Sequence, residues 1–90
     1  LEPDHAATFY SRAFAYMSAG NYGSAIEDLD QALRLDPNFR DAWFQRANLH
    51  RAKGELHKAI EDHTQALRCE PTFRLSLRAR AECLEIVGRP

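Results

Sequence analysis

Four histidines, two cysteines and two Glu-Asp doublets are the residues in this chain of 90 whose types could carry chemistry. Neutral imidazoles and thiolates hold metals, a cysteine beside a histidine makes a nucleophile, and paired carboxylates move protons. Spacing counts against each use. There is no CxxC, no Ser-His-Asp or Cys-His order and no glycine-rich phosphate loop. His50 and His63 lack a placed third ligand, so a hydrogen-bonded core role outweighs a metal site, and His5 and His57 read as surface residues. Cys69 and Cys83 are too few for a disulfide framework and sit in helical patterns, where a free thiol acts as a small hydrophobe. A reducing, intracellular and cytoplasmic setting is expected. The doublets Glu27-Asp28 and Glu61-Asp62 occur in amphipathic stretches, with Glu27 and Glu61 expected on solvated faces. No catalytic residue, metal site or cofactor is expected, and the chain reads as non-enzymatic.

The elements that carry these residues repeat. From Ala6 to Ala19, the residues Phe9, Ala13, Tyr16 and Met17 follow the spacing of three and four that marks an amphipathic helix, which Gly20 and Asn21 stop. Tyr22 to Leu35 keeps the rhythm with Ala25, Ile26, Leu29, Ala32 and Leu33. It ends before Pro37, whose ring pushes the preceding residue out of the helical region. Arg40 to Lys53 and Leu56 to Cys69 form a second pair, and Phe73 to Val87 a fifth helix. Links this short permit only antiparallel hairpins, and Ala13 against Ala25, like Ala47 against Ala59, lets the two backbones approach. Trp43, the largest packing residue, is expected in the core. The period is 34 residues: Gly20 recurs as Gly54 and Gly88, Ala25-Ile26-Glu27-Asp28 as Ala59-Ile60-Glu61-Asp62, Gln31-Ala32-Leu33-Arg34 as Gln65-Ala66-Leu67-Arg68, and Pro37 as Pro71. Leu1-Glu2-Pro3 matches Leu35-Asp36-Pro37 one period on, so the chain reads as a piece of a longer array.

In this grammar the chain resembles the tetratricopeptide repeat (TPR) family, whose signature sets a large residue at position 4, small at 8, aromatic at 11, Gly at 15, Ala at 20, aromatic at 24, Ala at 27 and Pro at 32. Repeat one supplies Phe9, Ala13, Tyr16, Gly20, Ala25, Leu29, Ala32 and Pro37, and repeat two supplies Trp43, Ala47, His50, Gly54, Ala59, His63, Ala66 and Pro71. The resemblance implies an all-α fold of antiparallel helix hairpins stacked as a right-handed superhelix. It implies a single domain over 1–90, with repeat one at 6–39, repeat two at 40–73 and a partial repeat or capping helix at 74–90. It further implies a non-catalytic scaffold that binds a peptide or a segment of a partner protein in a concave groove lined by the first helix of each repeat. Mapped onto this chain, the groove is lined by Tyr10, Phe14 and Met17, then Phe44, Asn48 and Arg51, then Arg78 and Glu82, with Ser18, Asp41, Ala52, Leu75, Glu85 and Ile86 beside them. Tyr10, Phe14 and Phe44 would form an exposed patch for an apolar anchor, while Asn48, Arg51 and Arg78 suit a peptide backbone or a carboxylate. His50 and His63, at positions 11 and 24, are expected to point into the second hairpin near one another. One branch of the family clamps the C-terminal carboxylates of heat-shock chaperones. Its five clamp positions hold Tyr10, Phe14, Gln45, Leu75 and Ala79 here, none of which matches, so that ligand is not expected.

Composition agrees with a small folded domain. With 44% hydrophobic residues, 28% charged and a net charge of -1, the chain is not disordered in composition and offers no basic surface for nucleic acid. No run approaches the length of a membrane span. Charge is uneven: residues 1–45 hold seven acids against three bases, and residues 46–90 hold six against nine. The last helix carries two apolar lines, Leu77-Ala81-Leu84 and Leu75-Ala79-Cys83-Ile86. A helix that ends an array needs only one, so self-association into a homo-oligomer through this end is the alternative to binding a different partner.

Overall fold

The computed structural model describes residues 4–89, which form five helices: α1 (His5–Ser18), α2 (Tyr22–Leu35), α3 (Arg40–Ala52), α4 (Leu56–Cys69) and α5 (Arg74–Val87). The triplet Leu1-Glu2-Pro3 lies outside the described residues. Asp4 starts α1 by accepting a hydrogen bond from the Ala7 backbone N–H at 3.2 Å, satisfying one of the donors that a helix start leaves free. The ends of α1 and α3 are built alike. Gly20 N–H donates to the Met17 carbonyl at 3.0 Å and Asn21 N–H to Tyr16 at 2.9 Å; Gly54 N–H donates to Arg51 at 2.9 Å and Glu55 N–H to His50 at 2.8 Å. Such paired bonds require a left-handed residue at the turn, and Gly20 and Gly54 have φ of 80° and 81°. After α2 the chain turns on Asp36, whose carboxylate accepts from the Asn38 N–H at 3.1 Å.

Helices α1 and α2 form one antiparallel hairpin and α3 and α4 a second, while α3 stacks on α2 and α5 on α4, giving an elongated body of 51 × 29 × 17 Å. All of it is helical, and no helix among the described residues is long and apolar enough to cross a membrane. The backbones meet at alanines: Ala13, Ala25, Ala32, Ala42, Ala47, Ala59 and Ala66 are all fully buried. Such crossings leave little room for large side chains at the centre. Trp43 is therefore only half-buried, contrary to its expected place in the core. It packs at the rim, its indole N–H donates to the Pro37 carbonyl at 2.8 Å, and Arg46 lies 5.0 Å from its ring centre.

The second half of each acidic doublet is not solvated. Glu27 and Glu61 are exposed, but Asp28 and Asp62 are each only 5% exposed. Each receives a two-pronged arginine from the other helix of its hairpin: Arg12 Nε and Nη2 donate to Asp28 at 2.7 and 2.7 Å, and Arg46 Nε and Nη2 donate to Asp62 at 2.8 and 2.9 Å. Arg46 also spends Nη1 on Asp30 of α2, at 2.7 Å, so one guanidinium ties the two hairpins together.

Ala59→Leu should lower stability by about 1 to 3 kcal/mol, because overpacking forces the α3–α4 crossing apart; a thermal melt equal to the parent's would displace Ala59 from that crossing. Asp62→Asn should cost about 2 to 3 kcal/mol, because it removes the two-pronged carboxylate from a mostly buried guanidinium that keeps only Asp30 as an ion partner. Asp28→Asn should cost less, since the Arg12 side chain is 58% exposed against 20% for Arg46. Equal shifts in the urea midpoint for the two would contradict this ranking.

Candidate functional site

The first helices of the hairpins and α5 share one side of the body. Tyr10 of α1 lies by Asp41 of α3, which together with burial pushes its phenol pKa upward, burial being the larger cause. Further along, Arg51 of α3 donates to Glu82 of α5 at 3.0 Å. The eight residues expected to line a groove come from these three helices, Tyr10, Phe14 and Met17 from α1, Phe44, Asn48 and Arg51 from α3, and Arg78 and Glu82 from α5, and they divide into an aromatic and a charged part.

At the aromatic end only Phe14 is exposed, at 42%. Tyr10 meets it edge-on with ring centres 5.2 Å apart, and is itself held by Phe39, 4.7 Å away, at the start of the second hairpin. Phe44 repeats that arrangement with Phe73 at 5.2 Å and also touches His63 at 5.6 Å. Tyr10 and Phe44 are thus half-buried between elements, not the open patch expected from their positions. Met17 is half-buried too, packed against the core of the first hairpin, and Asn48 is half-buried on α3. Arg40 covers Phe73, its guanidinium 4.2 Å from the ring centre, and donates to Glu70 and Asp41 at 2.7 Å each.

At the charged end Glu82 organises the basic residues. It accepts from Arg51 at 3.0 Å and from Arg78 at 3.3 Å, and the Arg51 hydrogen bond foremost holds its carboxyl pKa below the ordinary range. Both arginines are therefore engaged, and a ligand carboxylate would have to compete with Glu82 for them. Leu75 and Ile86 stand at 58% and 38% exposure beside this set.

His50 and His63 of the second hairpin turn to different partners. His50 Nδ1 sits 3.2 Å from Glu55 and its Nε2 sits 3.7 Å from Asp62. His63 is fully buried at the seam between α4 and α5, where its Nδ1 meets the Ser76 hydroxyl at 3.0 Å and its Nε2 has no hydrogen-bond partner. Among the described residues, no three His, Cys, Asp or Glu side chains gather as metal ligands would. The arginine–aspartate pairs are what the sequence reading passed over. Arg12, Arg46 and Arg80 recur at the 34-residue period, and Asp28 and Asp62 follow two of them by sixteen residues, a signal available in the sequence. A cleft of about 420 Å³ lined by Phe9, Arg12, Asp28 and Arg34 belongs to that pairing, not to the side described here.

Comparison with known proteins settles the family. Models of the tetratricopeptide repeat match residues 6–39 and 29–61. The chain belongs to the tetratricopeptide repeat family. Among solved structures, it superposes on the first TPR of Spaghetti (RPAP3), bound to the HSP90 peptide SRMEEVD, with a TM-score of 0.90 and 20% identity over 98% of this chain and 70% of that one. MamA gives a TM-score of 0.91 at 23% identity, over 96% of this chain and 51% of its own. Likeness at those identities shows the TPR fold alone. The second TPR domain of human RPAP3, in complex with the HSP70 peptide SGPTIEEVD, gives 0.81 at 26% identity over 88% of this chain and 66% of its own. A curated relative, the tetratricopeptide repeat and J domain-containing co-chaperone DNJ1 of Cryptococcus neoformans var. grubii, is 44% identical over 39 residues. These are 43% of this chain and 8% of that protein, so this TPR chain spans less than a tenth of the relative it matches.

Burial pushes the pKa of His63 down from 6.5 to about 4. A histidine that folds neutral stabilises the TPR chain fully above the pKa of its unfolded form and loses that contribution as pH falls through its folded value. The window here is therefore pH 6.5 to about 4, with roughly 3 kcal/mol lost across it. Denaturant melts should show stability falling already between about pH 6.5 and 5, before most carboxylates titrate, and His63→Leu should flatten that part of the profile. An unchanged slope in the variant would assign the loss to other groups.

Proposed function

We propose that this TPR chain is a non-catalytic protein-interaction module that holds a peptide or partner-protein segment along the side formed by α1, α3 and α5. What supports the reading most is the juxtaposition on one side of Phe14, an exposed aromatic beside the Tyr10 and Phe39 rings, with the Arg51–Glu82–Arg78 set. An apolar anchor of the ligand would rest on Phe14, Tyr10 and Met17. Its backbone amides would meet Asn48, and its acidic or basic groups would exchange with Glu82 or the two arginines. The RPAP3 domains above were solved with chaperone peptides, which supports a peptide as the kind of ligand. The five carboxylate-clamp positions, however, hold Tyr10, Phe14, Gln45, Leu75 and Ala79. None can grip two carboxylates, so the ligand proposed differs from a chaperone tail. Division into repeats at 6–39 and 40–73 with a third first-helix at 74–90 is part of the proposal, as is an intracellular, cytoplasmic setting in which Cys69 and the buried Cys83 stay reduced.

The test is selection of peptides from a random display library on the 90-residue chain, followed by titration of the enriched sequences. Binding should weaken roughly tenfold or more with Phe14→Ala and with Arg51→Ala, and stay unchanged with Glu27→Ala on the opposite helix. Peptides indifferent to Phe14 and Arg51, or a library with no enrichment, would remove the proposed face. Peptides ending in EEVD should bind no better than their scrambled versions; specific micromolar binding of such a tail would restore the clamp ligand.

A further inference from the structure

Two charged sets of opposite sign stand at the two ends of α3. At its start Arg40 lies between carboxylates: its Nε and Nη2 both donate to Asp41 Oδ1, at 3.0 and 2.7 Å, and its Nη1 donates to Glu70 Oε2 at 2.7 Å. One guanidinium thus occupies one oxygen of each acid, while Asp41 Oδ2 and Glu70 Oε1 accept no hydrogen bond among the described residues. The set has a net charge of -1 and borders a recess of about 320 Å³ whose lining includes Phe39, Arg40, Asp41, Cys69 and Glu70. At the end of α3 the arrangement is inverted. Glu82 lies between two guanidiniums, accepting from Arg51 Nη1 at 3.0 Å and from Arg78 Nε at 3.3 Å, which leaves a net charge of +1. Each arginine uses a single N–H there, and the Arg78 side chain is 84% exposed.

The packing of the repeats does not call for either set. The arginine–aspartate pairs that hold the hairpins recur at the 34-residue period, as Arg12 with Asp28 and Arg46 with Asp62. The charges at the ends of α3 do not: Asp41 has Ala7 and Leu75 for counterparts, Arg51 has Met17 and Glu85, and Arg78 has Tyr10 and Phe44. The macrodipole of α3 suits Asp41 in its first turn and Arg51 in its last, but Glu70 caps the C-terminal end of α4, where an acid is disfavoured, and Glu82 belongs to α5. Asp41 and Arg51 are ten residues apart on one helix, about 15 Å at the helical rise. An extended chain covers that distance in about four residues, and residues four apart in a strand project to the same face.

We infer that the ligand of this side is an extended segment of another protein carrying a basic and an acidic residue about four positions apart, the base meeting Asp41 and Glu70 and the acid meeting Arg51 and Arg78. The inference rests on the peptide-binding reading above and specifies its chemistry. The base lays its aliphatic stem along Phe39 and Cys69 in the recess and brings its donors to Asp41 Oδ2 and Glu70 Oε1. The acid competes with Glu82, and two guanidiniums facing one carboxylate leave it unused N–H donors on each. The ligand residue midway between them passes over Phe44 and Asn48, which lie between the two sets on α3. A segment with acids at both places, or bases at both, gains one contact and is repelled at the other.

The probe is the random peptide display library, selected on the 90-residue chain at low and at high salt. Enriched sequences should carry Lys or Arg and Asp or Glu at that spacing, in either chain direction, and the pattern should fade at high salt. For a selected peptide, Asp41→Asn in the protein and replacement of the peptide's base by Gln should each weaken binding roughly tenfold, and together no more than either alone; Arg78→Gln and replacement of the peptide's acid should be coupled in the same way. Both protein substitutions fall on exposed side chains, and circular dichroism should show unchanged helicity. Peptides that lose affinity with Phe14→Ala but lack the charge pair, or carry it without coupling to Asp41 and Arg78, would overturn this inference and leave the peptide-binding side standing. Peptides indifferent to Phe14 and Arg51 would remove both. A dimer in sedimentation that Asp41→Asn dissolves would assign the two sets to each other on neighbouring copies of the chain, and would also overturn the inference.

Discussion

The close approach of helix backbones at alanine is the constraint on which the rest of this structure depends. Seven alanines are fully buried, whereas Phe9, Tyr10, Tyr16, Met17 and Trp43 all surround the core half-buried. A body only 17 Å across its shortest dimension has two helix layers, and the largest side chains it buries fully are Leu29 and His63, with no phenyl or indole ring among them. Large side chains therefore serve as lids over thin crossings. Their aromatic faces are shared between neighbouring elements, as with Tyr10 on Phe39 and Phe44 on Phe73. The half-exposed rings on the α1–α3–α5 side follow directly from that thinness.

A thin core also leaves register underdetermined, since one alanine contact resembles another. The arginine–aspartate pairs resolve this. A two-pronged guanidinium tolerates little misalignment, so Arg12 with Asp28 and Arg46 with Asp62 fix the rotation of each helix about its own axis within a hairpin. The reach of Arg46 to Asp30 does the same between hairpins. A buried ion pair gains little net stability over an apolar pair of similar shape, but it makes the wrong register costly by stranding a charge.

Much of this was legible in the sequence, and what was not has identifiable causes. Gly20, Gly54, Pro37 and Pro71 mark where helices must stop, and the recurrence of alanine marks where they cross; both act through local backbone physics that a linear pattern records. Burial of Asp28 and Asp62 was not legible from the doublets alone, because adjacent residues on a helix point about 100° apart and one member of each doublet is solvated. It required pairing the acids with arginines sixteen residues earlier on another helix. The places of Phe44 and Trp43 were misjudged for a related reason: a position in a motif states which way a side chain points, while its exposure depends on Phe73, His63 and Pro37, which arrive from elsewhere in the chain.

The two ends of the body differ in the same physical terms. On α1 the face equivalent to the one that α3 buries with Ala42 and Leu49 carries Thr8 and Ala15, flanked by Ser11 and Arg12, and all four are exposed. Thr8 also turns its hydroxyl to the Asp4 carbonyl at 3.1 Å, so that face is satisfied in water. At the other end, Leu77 and Leu84 are exposed. Among the described residues, therefore, leucine surface is left in water on α5, whereas the matching face of α1 presents a hydroxyl that is already hydrogen-bonded, and covering the first would release more hydration free energy than covering the second.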